Sequence, residues 1–312
     1  MILSNRWTTP LTGLLLSAML LACGGGGDNG PAPAPGGGLL QAAMEPAFPA
    51  TTAQDGRNWI NYRRAQVGLP SLTQNTRIDQ AAQGHSDYQK VNNTIDHVQI
   101  LGNPGFTGAT LPDRLSAAGY QFTFGAYGEV ISATGDTSGF SNVEQLITAI
   151  YHRFVIFEPM FKEIGTGAAT IPGGYTYFTS NFTANNGNGR GITPGTVVFY
   201  PVRDQTGLPT EFFSDQERPD PVSNQDLVGY PISVHANLDS VLTVSGFSIR
   251  PRGGAALVVK TLSATLDPEH TPHSAAAIIP LAVLLTNTTY DVEFSGTVDN
   301  IAVTKNWSFT TK

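Results

Sequence analysis

The sequence predicts two unlike folds in succession, an α+β domain followed by an all-β sandwich. Three observations carry this. Apolar residues recur at helical spacing in the stretches 51–67, 75–90 and 141–157, and they alternate in short segments beyond residue 230. Turn residues punctuate that second region closely, and no helix-period run there exceeds a turn or two. At 312 residues the chain is long enough for two domains with separate cores.

Composition narrows the class. Charged residues make up only 13% of the chain, against 34 glycines and 21 prolines, which suits a loop-rich exported protein. The net charge is −7 and no basic cluster is present, which argues against nucleic acid or anionic lipid as a partner of the folded part.

The N-terminus points to a membrane anchor. Arg6 precedes an apolar run, Leu11 to Leu21, that is too short to span a bilayer. The run ends in Leu20-Leu21-Ala22-Cys23, and Cys23 is the single cysteine of the chain. This resembles the lipobox of bacterial lipoproteins, whose leader is removed before a cysteine that is then lipidated. An ordinary secretory signal with a stray cysteine is the alternative. The expected layout is a signal peptide over 1–22, then the lipidated Cys23 and a flexible tether to 49. Each acyl CH₂ buried in the membrane would contribute about 0.8 kcal/mol. Gly24 rather than Asp follows the cysteine, which resembles outer-membrane sorting, so the expected location is the bacterial cell envelope at the outer membrane. Gly24 to Gly38 mixes flexible glycines with an extended Pro31–Pro35 segment. A lone cysteine allows no disulfide within the chain, so apolar cores must hold both domains.

The elements follow in order. A helix is expected from Thr51 to the Gly68-Leu69-Pro70 stop, and a second from Asn75, a plausible cap, through Tyr88. His85 falls on the apolar stripe of the second helix and reads as a core histidine bonded to backbone. Residues 92–124 are loop-like, carry His97, and include a short helix near Pro112–Ala118. Strand candidates flank Gly128-Glu129-Val130-Ile131. A helix over 141–157 is expected from the Ser141/Glu144 capping-box pattern, with Val143, Leu146, Ile147, Ile150 and Phe154 as one stripe. At about 100° per residue, His152 lies opposite that stripe, facing water, a cleft or another segment. Phe161–Ala169 and Tyr175–Thr183 read as a hairpin closed by Pro172-Gly173-Gly174. Residues 184–228 read as a connector whose aromatic pairs, Phe199-Tyr200 and Phe212-Phe213, should pack on a domain. From 229 to 312 the alternation reads as a sandwich.

The N-terminal half carries a family resemblance. Asn61-Tyr62-Arg63, Gly68-Leu69-Pro70, Ala81-Ala82, His85-Ser86-Asp87-Tyr88, His97, Arg114, Gly128-Glu129-Val130-Ile131, His152-Arg153 and Ile164-Gly165-Thr166-Gly167 stand in an order that resembles bacterial members of the CAP superfamily of SCP-like proteins. The resemblance covers roughly 50–183. It implies an α-β-α sandwich with a cleft that presents two histidines and acidic residues and that in some members binds Zn²⁺. Matched residue by residue, the cleft would hold His97, Glu129 and His152. The family's Gly-Glu-Asn-Ile is Gly-Glu-Val-Ile here, and the position of a second helix acid falls near Ala149, so the set is reduced. The region 229–312 more loosely resembles bacterial Ig-like modules, which serve as spacers or adhesive surfaces.

Two imidazoles and a carboxylate could hold Zn²⁺ with an open position, His97 and His152 being the candidate metal ligands. Without metal, Glu129 could act as general base with His97 and His152 as acid or orienter. Against catalysis, the chain has no nucleophile elbow and no HExxH helix. Gly165-Thr166-Gly167 reads as strand rather than phosphate loop, and His270 and His273 as a surface loop. The leading expectation is a lipid-anchored envelope protein that binds a small molecule, lipid, peptide or metal in the His/Glu cleft. The alternatives are a metal- or Glu129-dependent hydrolase and a non-catalytic adhesive surface protein.

Overall fold

A computed structural model describes the backbone of residues 2–6, and residues 45–46 and 50–312 in full. Cys23 and the tether through Met44 lie outside the described residues. Strand β1 (Ile2–Arg6) falls within the segment read as a leader.

Helix α1 (Thr52–Gln66) starts where the Thr51 side chain accepts from the Gln54 N–H, and it buries Trp59 and Ile60. After β2 (Thr73–Gln74), α2 (Thr76–Asn92) begins at the expected Asn75 cap. Helix α3 spans Leu111–Ala117 and β3 spans Gly125–Thr134. The expected helix over 141–157 is two helices, α4 (Gly139–Thr148) and α5 (Ile150–Ile156), broken where Ala149 is extended at ψ 116°. Its start is also earlier than the sequence pattern suggests, at the Ser138 cap. Strands β4 (Glu163–Thr170) and β5 (Thr176–Asn185) form the expected hairpin.

These strands make one sheet in the order β1-β3-β5-β4-β2, antiparallel except for β2 beside β4. Neighbouring residues on a strand point to opposite faces. Ala126, Val130, Phe178 and Phe182 enter the main core shared with α1 and α4, whereas Tyr127 packs with the Ile78, Leu111 and Leu115 cluster of α2 and α3. The result is a helix–sheet–helix sandwich. Glycine decides how closely α2 lies on the sheet. A Cβ at Gly165 would sit 2.2 Å from the Asp79 nitrogen, and one at Gly167 would sit 2.3 Å from the Gln83 nitrogen. The Gly165-Thr166-Gly167 motif is strand, as expected, and its glycines act as a packing device.

The stretch read as a connector is built into the second domain. It contributes β6 (Val198–Tyr200), β7 (Gln205–Leu208), β8 (Glu211–Phe213) and, at its end, β9 (Leu227–Gly229). Then follow β10 (Ile232–His235), β11 (Leu242–Pro251), β12 (Val259–Ser263), β13 (Ala275–Pro280), β14 (Thr289–Val298) and β15 (Ile301–Thr311). Two four-stranded sheets result, β12-β13-β10-β6 and β11-β14-β15-β7, so β6 and β7 complete a sandwich that the sequence reading began at 229.

The two domains share packing. Strand β13 is buried at every position. Its Ala276 and Ile278 join the sandwich core, and its Ala275, Ala277 and Ile279 meet Ile150, Tyr151 and Phe154 of α5. An unbroken apolar strand such as Ala-Ala-Ala-Ile-Ile needs cover on both faces, and α5 supplies the second. Arg153, fully buried, donates to the Pro231 carbonyl at 2.7 Å and lies about 5 Å from the rings of Tyr200 and Tyr230.

Candidate functional site

Three segments, β3, α3 and the loop after α2, meet at one carboxylate. Glu129 on β3 points to the α2/α3 face and is fully buried. Arg114 of α3, also fully buried, reaches both of its oxygens from Nη2 at 2.8 and 2.6 Å. The expected short helix places this arginine because Thr110 and Asp113 form a capping box that fixes its first turn. His97, on the loop after α2, sets Nδ1 2.9 Å from Glu129 Oε1, and its own carbonyl accepts from Arg114 Nη1 at 3.0 Å. The His97 side chain is 22% exposed, whereas those of Glu129, Arg114 and His85 are 0% exposed, so His97 is the face this cluster shows to solvent.

His85 behaves as the periodicity implied. Its Nε2 lies 2.9 Å from the Asp96 carbonyl and its Nδ1 lies 3.0 Å from Gln99 Nε2. Burial lowers its pKa to about 4, so the ring is neutral at physiological pH, with Nε2–H donating and Nδ1 accepting. Gln99 in turn accepts from the Thr107 N–H at 2.7 Å, which holds the His97 loop against α2.

Charge balance fixes the state of Glu129. Burial by itself raises a carboxyl pKa, but the Arg114 guanidinium and the His97 hydrogen bond overcome it and bring the value down to about 2. The group is an anion at every physiological pH. An anion this acidic, with both oxygens on a guanidinium, is a poor proton acceptor, so the general-base role expected for Glu129 does not fit.

The expected third member stands elsewhere. His152 sits on α5, whose Val155 and Ile156, with Phe157 just after the helix, join the core on the Val130 face of the sheet. Its Nδ1 lies 3.0 Å from Glu217 Oε1, in the stretch read as connector. The same carboxylate accepts from the backbone N–H groups of Ile150, Tyr151 and His152 at 2.8, 2.7 and 3.1 Å. Ala149 has no side chain to cap α5, and Glu217 does so from outside. The off-stripe position of His152 is thus explained by this partner rather than by a cleft shared with Glu129.

Zinc does not fit this arrangement. Arg114 occupies both oxygens of Glu129, His97 and His152 bind different carboxylates, and among the described residues no group of three or more His, Cys, Asp or Glu could hold an ion. The expected joint ligation by His97 and His152 is corrected accordingly.

Sequence reasoning missed two features. Arg114 was visible as a motif residue, but its pairing with Glu129 had no local signal. Asn181 stands out in the sequence only as the first residue of an uninformative Asn-Phe-Thr triplet, with no sign of a place beside Glu129. It is the β5 register partner of Glu129, fully buried, and both of its side-chain amide atoms are without a hydrogen-bond partner among the described residues. Directly paired residues share a face of the sheet, so an unsatisfied amide flanks the carboxylate.

With this geometry in place, similarity to known proteins can be read. Residues 58–182 match the family described as "CAP: Cysteine-rich secretory protein family". This segment is a CAP domain. Solved structures similar to the chain include an extracellular protein containing a SCP domain from Bacillus anthracis, 25% identical, with 44% of this chain and 45% of that chain covered and a TM-score of 0.36. An outer surface protein from Borrelia burgdorferi is 15% identical, with 42% of this chain and 90% of that one covered, at 0.36. A cysteine-rich secretory protein from Staphylococcus aureus is 13% identical, with 43% and 39% covered, at 0.33. The chain thus spans less than half the length of the Bacillus and Staphylococcus proteins. No curated protein matches the chain significantly. Among the described residues, no helix is long and apolar enough to cross a membrane. Among the described residues, the side chains around Glu129 come from the CAP domain and not from the sandwich.

Proposed function

We propose that this is a cell-envelope lipoprotein, held at the outer membrane by acyl chains on Cys23, whose CAP domain binds a ligand beside His97 and Glu129. The observation that carries the binding reading is the construction around Glu129. A permanent anion is buried on a guanidinium, an unsatisfied Asn181 amide lies next to it, and one imidazole reaches solvent. The Asn181 amide keeps hydrogen-bonding capacity that a water or a ligand can meet. The hydrolase alternative is the weaker reading, because it requires Glu129 to take a proton.

His97 is the residue to change, since it is the exposed member. Thermal-shift screening with short peptides, fatty acids and sugars is expected to find compounds that raise the melting temperature of the wild type. The same compounds should leave His97→Ala unmoved, while that variant alone melts within a few degrees of wild type. Equal shifts in both proteins would refute the site. For the anchor, radiolabelled palmitate is expected to enter the wild-type protein and not Cys23→Ser. Label persisting in the variant would remove the lipoprotein reading.

A further inference from the structure

The two edges of the CAP sheet are treated differently. On the β4 side, β2 pairs with Glu163 and Ile164. Beyond β2, side chains of α2 take over. Asp79 accepts from the Thr166 N–H at 2.8 Å, and Gln83 both accepts from the Ala168 N–H and donates to the Ala168 carbonyl at 3.0 Å. These contacts substitute for a further strand, a recognised way of closing an edge against association.

The β3 side has no such protection. Gly125 to Val130 contains no proline, lysine or arginine, and its one charge, Glu129, turns inward to Arg114. No bulge interrupts its ladder with β5. What covers this edge is β1, paired antiparallel with Ile2 opposite Glu129, Leu3 opposite Gly128 and Arg6 opposite Gly125. Those residues belong to the segment read as a leader removed before Cys23. A chain processed there loses the strand that completes its own sheet.

We propose that in the processed protein the outer edge of β3, over 125–129, accepts an extended peptide strand running antiparallel past Glu129. This rests on the binding reading above, whose carboxylate the same strand carries, and it names the ligand class as peptide. Main-chain hydrogen bonds would supply the affinity, as in other strand additions. The register supplies a preference. Gly128, itself buried and without a side chain, shares its face with Ala126 and Val130, both fully buried in the main core, so an incoming residue opposite it borders that core. The peptide residue opposite Gly128 should therefore be apolar.

The test uses the full gene expressed in a bacterial host, with the protein isolated from membranes in detergent and its N-terminus read by mass spectrometry. Hydrogen exchange is followed with and without a synthetic peptide of residues 1–7. The expected result is an N-terminus at Cys23 and fast exchange over 125–129 that slows about ten-fold when the peptide is present at about ten times its Kd. The same peptide carrying Leu3→Pro and Ser4→Pro should give no slowing. Adjacent N–H groups on a strand point to opposite sides, so one of the two prolines must remove a donor to β3. Retention of residues 1–22, protection of 125–129 before any peptide is added, or equal protection by the proline peptide would each overturn the proposal. Absence of protection together with compounds that shift wild type but not His97→Ala would remove the strand acceptor alone. Absence of both would remove the binding reading as well.

Discussion

Replacing Arg114 with methionine is expected to destabilise the protein by about 3–5 kcal/mol at neutral pH, because it leaves Glu129 charged and unpaired in the interior. The pH dependence should reverse as well. In the wild type the Glu129 pKa is lowered from 4.5 to about 2. A carboxyl lowered on folding stabilises above its unfolded pKa, and that contribution is lost as pH falls from about 4.5 through about 2. By linkage the shift corresponds to about 3 kcal/mol. In Arg114→Met, burial dominates and the pKa rises, so acidification should recover stability that neutral pH has removed. Urea denaturation between pH 2 and 8 reads both effects. Glu129→Gln added to Arg114→Met should restore part of the loss, since a neutral amide costs less to bury than a charge. A single Arg114→Met variant as stable as wild type at neutral pH would show that the pair is not what holds Glu129.

Glu217→Ala is the second large effect, expected to lower stability by about 3 kcal/mol, or about 1 kcal/mol for each of three backbone N–H groups left without an acceptor. Those groups belong to Ile150, Tyr151 and His152, at the start of the helix that joins the two domains. Glu217→Gln keeps one acceptor oxygen and should lose less. His152→Ala removes one contact of the four and should lose least. This ordering, measured by urea midpoints, separates two roles for His152. A cleft histidine would instead give His152→Ala with full stability and abolished ligand response.

Much of the fold was legible because it is local. The Asn75 cap, the His85 position, the β4–β5 hairpin and the six strand segments after residue 230 each depend on neighbours within one element. Periodicity also found that His152 does not belong to its apolar stripe. It could not say what the ring meets, because Glu217 is 65 residues away and lies in a stretch that looked like linker. The break at Ala149 was hidden for a related reason. A stripe that stays in phase across one extended residue reads as one helix, and the carboxylate that starts the second helix comes from another segment.

Periodicity and turn chemistry by themselves determined the two-part architecture, and the resemblance of the motifs over 50–183 to the CAP superfamily implied that His97 and Glu129 share one region. Only the tertiary structure decided their state. Arg114, 15 residues before Glu129, turned an expected base into a fixed anion, and Glu217 drew His152 to a different carboxylate. Electrostatic partners in a packed interior are chosen by which elements meet across the sheet. That depends on the whole core, including β6, β7 and α5, rather than on any pattern within a single stretch.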